Sequence, residues 1–121
     1  MSKKVTFRIT AEMKEALGDA IVTAGYRKKD KSLWFNDAMQ AMFLEDAGLS
    51  KVGVGEVNST FPKTETVIIT DENLMRIDDA IEIIRRQDPH AEGVKAMIYR
   101  AAIRYAMSGF VRSPHGEAVA S

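Results

Sequence analysis

Lys4, Thr6 and Arg8 occupy alternate positions of the stretch Lys3-Lys4-Val5-Thr6-Phe7-Arg8-Ile9-Thr10, with Val5, Phe7 and Ile9 between them. A period of two puts an ammonium, a hydroxyl and a guanidinium on one face of a strand and the apolar side chains on the other. With Lys3, these donors form one of two basic concentrations; the second is Arg27, Lys28, Lys29 and Lys31. Acidic residues gather elsewhere, at Glu12, Glu15 and Asp19 and at Asp71, Glu72, Asp78, Asp79 and Glu82. The formal net charge is zero, which argues against a general nucleic-acid coat. A polarised distribution can still serve an anionic partner, because distribution matters more than the sum.

Other chemistries find little support. The absence of cysteine removes a thiol nucleophile, a disulfide framework and a cysteine-based zinc site. His90 and His115 have no second ligand at metal spacing, so neither a metal nor any other cofactor is expected. The carboxylates sit where solvated helix faces and dipole partners would carry them. No nucleophile–base pair or glycine-rich phosphate loop is visible, so an enzyme is not expected. No run approaches the roughly 18 apolar residues of a membrane span. The N-terminus leads straight into a strand without an apolar export segment, and a cytoplasmic protein without membrane contact is expected.

The elements that position these residues follow from periodicity. A chain of 121 residues, 45% apolar and 28% charged, has the length and composition of one soluble domain. A lone strand needs a partner, and Thr64-Glu65-Thr66-Val67-Ile68-Ile69-Thr70 supplies one, with Val67 and Ile69 in the places of Phe7 and Ile9. Thr10 caps a helix over 11–24 carrying Met13, Leu17, Ala20, Ile21 and Ala24; Gly18 within it is read as a mark of a close helix crossing, and Gly25 ends it. Asp30 or Ser32 is expected to cap a second helix over 31–46. Its residues Trp34, Phe35, Ala38, Met39, Ala41, Met42 and Phe43 cover so much of the circumference that it should lie centrally, as core rather than as a ligand box.

Residues 47–62, rich in Gly, Asn, Ser and Pro, read as a linker. The first half then recurs: Thr70 caps a helix with the stripe Leu74, Ile77, Ile81 and Ile84, and a turn containing Asp88, Pro89 and Gly93 precedes a last helix, about 92–108, with Ile98, Ala101, Ala102 and Tyr105. Residues 109–121 read as a flexible tail. The expected organisation is a first strand–helix–helix repeat over 1–46, the linker, a second repeat over 63–108 and the tail, all in one intertwined domain. It is mostly helical, with a small two-stranded antiparallel ribbon.

Strand, helix, turn, helix in this order resembles the ribbon–helix–helix family, the Arc and MetJ type of DNA-binding protein. The match rests on Lys95-Ala96-Met97-Ile98-Tyr99-Arg100-Ala101-Ala102-Ile103-Arg104-Tyr105, which is similar to the family's second helix, and on Lys3 to Thr10, which is similar to its strand and cap. Two copies in one chain look like the family's homodimer fused into a pseudo-dimer, as in TraY-like conjugation proteins. The resemblance implies a ribbon that enters the major groove of double-stranded DNA, with Lys4, Thr6 and Arg8 and, from the second strand, Thr64, Thr66 and Ile68 facing base edges. It also implies phosphate contacts at the starts of the second helices. Lys3, Lys28, Lys29, Lys31, Ser32 and Lys95 are the candidates.

A transcriptional repressor or an accessory factor of a plasmid, phage or conjugation system is then expected, in a prokaryotic cytoplasm. The second strand departs from the pattern: it has no outward cation, and Glu65 falls on the inward face. A solvated strand face would carry Lys4, Thr6 and Arg8 equally well, since charge on an exposed strand also prevents aggregation. The alternative reading is a module of the same fold that has lost DNA binding and uses Ile68 and the acidic helices to hold a protein partner. Because the two strands differ, a DNA-binding chain should read a non-palindromic subsite, with several chains side by side on longer sites.

Overall fold

Strand β1 (Lys3–Ile9) pairs antiparallel with β2 (Lys63–Ile69) in the computed structural model, which describes residues 2–108. The expected tail, 109–121 with His115, lies outside the described residues. Helices α1 (Ala11–Thr23) and α2 (Lys31–Glu45) follow β1, and α3 (Asp71–Gln87) and α4 (Val94–Met107) follow β2. The described residues are thus mostly helical, with a two-stranded antiparallel sheet. No helix among the described residues is long and apolar enough to cross a membrane.

Both strands turn into helices through a threonine. Thr10 Oγ1 accepts from the Met13 amide at 3.0 Å and Thr70 Oγ1 from the Asn73 amide at 3.4 Å, each satisfying a first-turn donor that the helix cannot. The second helices begin differently. A short 3₁₀ turn, Lys28–Asp30, leads into α2; the Asp30 side chain does not cap it but accepts from Arg27 Nε at 2.7 Å. Ser32 does not cap it either, because its hydroxyl accepts from the Ile68 amide. The last helix starts later than its apolar pattern suggests. Gly93, at φ 64°, holds a left-handed conformation at the N-cap position, just before Val94, and that conformation suits glycine.

The inward face of the ribbon meets the helices. Phe7, Ile9, Val67 and Ile69 are buried together with Trp34, Phe35, Met39, Met42, Ile98, Tyr99 and Ile103. Phe7 lies 4.9 Å from Tyr99 and 5.8 Å from Phe35 between ring centroids, so three aromatic rings seal the space beneath the ribbon. Helices α2 and α4 pack against each other at the centre, with α2 on β2 and α4 on β1. Helix α1 also reaches α4, and α3 reaches α2. Each strand is therefore covered by the second helix of the other half, and neither half retains its core alone.

The expected stripe of α3 is buried at Ile77, while Leu74, Ile81 and Ile84 lie at the margin of the core. Gly18 does not mark a helix crossing: a Cβ there would meet only the flexible end of Lys28, at 4.0 Å. The segment between α2 and β2 contains no helix or strand, yet it is folded onto the protein. A chain of turns fixes it from Asp46 to Ser59, and Leu49 is buried. Its Glu56 forms ion pairs with Arg100 and Arg104 of α4. At the far end of the helices, the Tyr105 hydroxyl donates to Glu45; partial burial and that carboxylate push the phenol up to about 12.

Candidate nucleic-acid interface

The strand register brings six sequence-predicted residues onto one surface. Lys4 stands opposite Ile68, Thr6 opposite Thr66 and Arg8 opposite Thr64. Directly opposed residues of an antiparallel pair project to the same side, so the six form three cross-strand rows on the face away from the helices. Lys4, Thr6, Arg8, Thr64 and Ile68 are exposed and Thr66 is half-buried. The Thr6 and Thr66 hydroxyls meet at 2.8 Å at the middle of the ribbon. They are 60 residues apart, the offset of the repeat, so equivalent residues of the two halves meet there.

That offset exposes the asymmetry of the face. Arg8 and Ile68 are equivalent positions at opposite ends, as are Lys4 and Thr64. One end therefore carries the guanidinium and the other an isoleucine that remains 48% exposed. Lys63, a cation that periodicity overlooked because it has the parity of the inward face, is equivalent to Lys3; both are exposed at diagonal corners of the ribbon. Among the candidate phosphate-binding residues, Lys3, Lys28, Lys29 and Lys95 are exposed. Lys31 and Ser32 are not free in that way: the Lys31 ammonium donates to Glu65, and Ser32 Oγ accepts from the Ile68 amide at 3.0 Å.

Glu65 explains the diversion of Lys31. It is buried opposite Phe7, and its carboxylate is held by Lys31, by Lys14 Nζ at 2.9 Å and by the Thr66 amide at 3.3 Å. Burial alone would raise its pKa, but the hydrogen bonds from the two lysines outweigh it and hold the carboxyl below its ordinary range. The group that looked out of place in a core is thus an ionised clasp joining α1, α2 and β2.

The backbone along the ribbon's outer edges is also occupied. Asn36 Nδ2 donates to the Ile68 carbonyl at 2.7 Å, while its Oδ1 accepts from the Thr70 amide at 3.1 Å and from Asn73 Nδ2 at 2.9 Å. On the other strand, Arg100 Nη1 donates to the Arg8 carbonyl at 3.0 Å. Lys14 Nζ donates to the Thr64 carbonyl at 3.0 Å. Edge groups paired in this way do not invite another strand. Allowing for the longer turn in the second half, Asn36 and Arg100 occupy matching places in α2 and α4. One uses an amide and the other a guanidinium to grip equivalent strand positions.

Arg100 also donates to Glu56 from Nε at 3.0 Å and Nη2 at 2.8 Å, and its guanidinium stacks 3.8 Å from the Phe61 ring centroid. Arg104 adds a 2.7 Å contact to the same carboxylate. Burial would raise the Glu56 pKa, but these two guanidinium groups hold the carboxyl below its ordinary range. Asn36, Asn73, Glu56 and the anchoring role of Arg100 are not among the features that periodicity and motif spacing single out. The available signal was a polar residue inside an apolar helical run, visible for Asn36 and Arg100 alone.

No protein-family model, curated protein or solved structure matches this chain.

Proposed function

We propose that the chain is a sequence-specific double-stranded DNA-binding protein of the ribbon–helix–helix type, a tandem pseudo-dimer in one polypeptide. It acts as a transcriptional repressor or as an accessory factor at a plasmid, phage or conjugation site, in a prokaryotic cytoplasm. The observation that carries the reading is the outward ribbon face, where Lys4, Thr6 and Arg8 lie opposite Ile68, Thr66 and Thr64 with helices packed behind them. A major groove about 12 Å wide admits a two-stranded ribbon and presents a distinct donor and acceptor pattern for each base pair.

In this reading Arg8 donates to guanine O6 and N7, Lys4 adds a donor to a neighbouring acceptor, and the central threonines meet base edges. Ile68 and Thr66 lie against thymine methyl groups. Lys3, Lys63, Lys28, Lys29 and Lys95 are the cations available to phosphate, supplying affinity without sequence information. Lys31 and Ser32 are left to support the ribbon. The unlike ends imply an asymmetric subsite for each chain, and longer sites would take chains side by side.

One observation favours a protein partner instead. Ile68 and the exposed Leu33 line one groove of about 560 Å³ with Gln40 and Arg76 beside them. Selection of bound duplexes from a random DNA pool separates the readings. A DNA reader enriches a motif, binds it with a steep salt dependence, and changes preference at one position on Arg8→Ala. Weak binding without an enriched motif, unaltered by Arg8→Ala, would refute the DNA reading and leave the interaction module.

A further inference from the structure

We infer that the segment between α2 and β2 is a working part of the reading surface, because Phe61 and Glu56 set the position of the Arg8 guanidinium. The inference rests on the DNA reading above and assigns positioning residues to it. Its basis is a closed circuit of contacts. Arg8 Nη1 donates to the Phe61 carbonyl at 3.2 Å. The Phe61 ring lies against the Arg100 guanidinium, 3.8 Å from its centroid. Arg100 in turn is held by both oxygens of Glu56 and donates to the carbonyl of Arg8 itself. Backbone and side chain of one residue are thus tied through a buried arginine and two residues that precede β2.

An exposed arginine samples many rotamers, and ordering it on binding costs free energy that a prior contact removes. The Phe61 carbonyl uses one of five guanidinium donors and leaves the others for a base edge. The device is one-sided: the equivalent position on β2 is Ile68, which has no side-chain donor, and its backbone is served by Asn36 and Ser32. Phe61 and Glu56 therefore act on one end of the ribbon alone, as positioning residues that sharpen the choice of base opposite Arg8.

The test combines two measurements on the full chain. In the wild-type protein without DNA, ¹⁵N relaxation of the Arg8 Nε–Hε group should report an ordered side chain, and Phe61→Ala should make it mobile while Phe61→Tyr keeps it ordered. On the selected DNA site, Phe61→Ala should lower discrimination at one base pair by about threefold to tenfold, part of what a bidentate pair supplies, with the salt slope unchanged. Phe61→Tyr should retain it. An Arg8 side chain that is mobile in the wild type overturns the inference whatever the DNA results. So does a selected motif that Phe61→Ala reads as well as the wild type, or a loss spread over all positions with an altered salt slope. A wild-type chain that selects no motif while Arg8 is ordered overturns the DNA reading, and with it the role of the circuit in base choice.

Discussion

Replacing Arg100 by methionine isolates the buried charge network that joins α4, β1 and the segment before β2. Arg100 is 6% exposed, and methionine keeps much of its stem, so the change removes the guanidinium contacts with little loss of volume. It leaves Glu56, whose side chain is 10% exposed, with Arg104, whose side chain is 32% exposed. Removing one partner of a buried ion pair costs about 3–5 kcal/mol. Arg104 stays beside Glu56 and can follow it toward water, which places the expected loss near the lower limit, about 3 kcal/mol. The Arg8 carbonyl released at the strand edge can take up water and adds little. For a domain of this size such a loss lowers Tm by about 10–15 °C.

Thermal and urea unfolding of Arg100→Met, Glu56→Leu and the double variant, followed by circular dichroism, completes a double-mutant cycle. The double variant should lose less than the sum of the two single losses, because an apolar pair avoids the desolvation that the ion pair must offset, giving a coupling of about 2 kcal/mol. A cost below about 1 kcal/mol for Arg100→Met, or a double variant whose loss is simply the sum of the two single losses, would refute this account of the network.

Three further outcomes are expected. Gly18→Ala should stabilise the protein by about 0.5–1 kcal/mol, since the helical site has room for a Cβ; urea unfolding checks it, and a loss of stability would mean that the glycine serves a close approach after all. Glu56 and Glu65 have folded pKa values below the ordinary 4.5, so their stabilisation is complete above that range and disappears as pH falls through the folded values; Glu65→Gln should flatten the acid limb of stability between pH 7 and 3, and an unchanged slope would count against the clasp. Ile68→Arg places a guanidinium at the position equivalent to Arg8, where the side chain is exposed, so stability should change by no more than about 0.5 kcal/mol. If the chain reads DNA as proposed, its selected site should shift toward an inverted repeat in this variant, and an unchanged site would contradict base reading by these rows.

The elements were legible where one periodicity dominated. Val5, Phe7 and Ile9 alternate against polar neighbours, and Met13, Leu17 and Ile21 recur on one side of a helix, so strand and helix follow from local pattern. Thr10 and Thr70 announced their helix starts because a capping hydroxyl serves amides within the next turn. Asp30 does stand at the N-cap of α2 but makes no capping bond, and Ser32, one residue inside the helix, makes none either, for the complementary reason: the carboxylate is taken by Arg27 and the hydroxyl by the Ile68 amide. Gly18 misled because a missing side chain in a helix has the same appearance whether or not anything approaches it.

Local pattern is enough for the alternation that sorts Lys4, Thr6 and Arg8 from the core, and for the recurrence after sixty residues that supplies a second strand of matching parity. These are properties of neighbours a few residues apart, or of one segment compared with another. The partners of the charged groups follow instead from long-range packing. Lys31 turns to Glu65, Ser32 to the second strand, and Arg100 to Glu56, Phe61 and the Arg8 carbonyl, across separations that no local rule measures. A charge in a low-dielectric core must find an opposite charge or a hydrogen bond, and the residue that answers it is whichever the chain brings near. That requirement turned Glu65 from an anomaly on an inward strand face into a support for the ribbon.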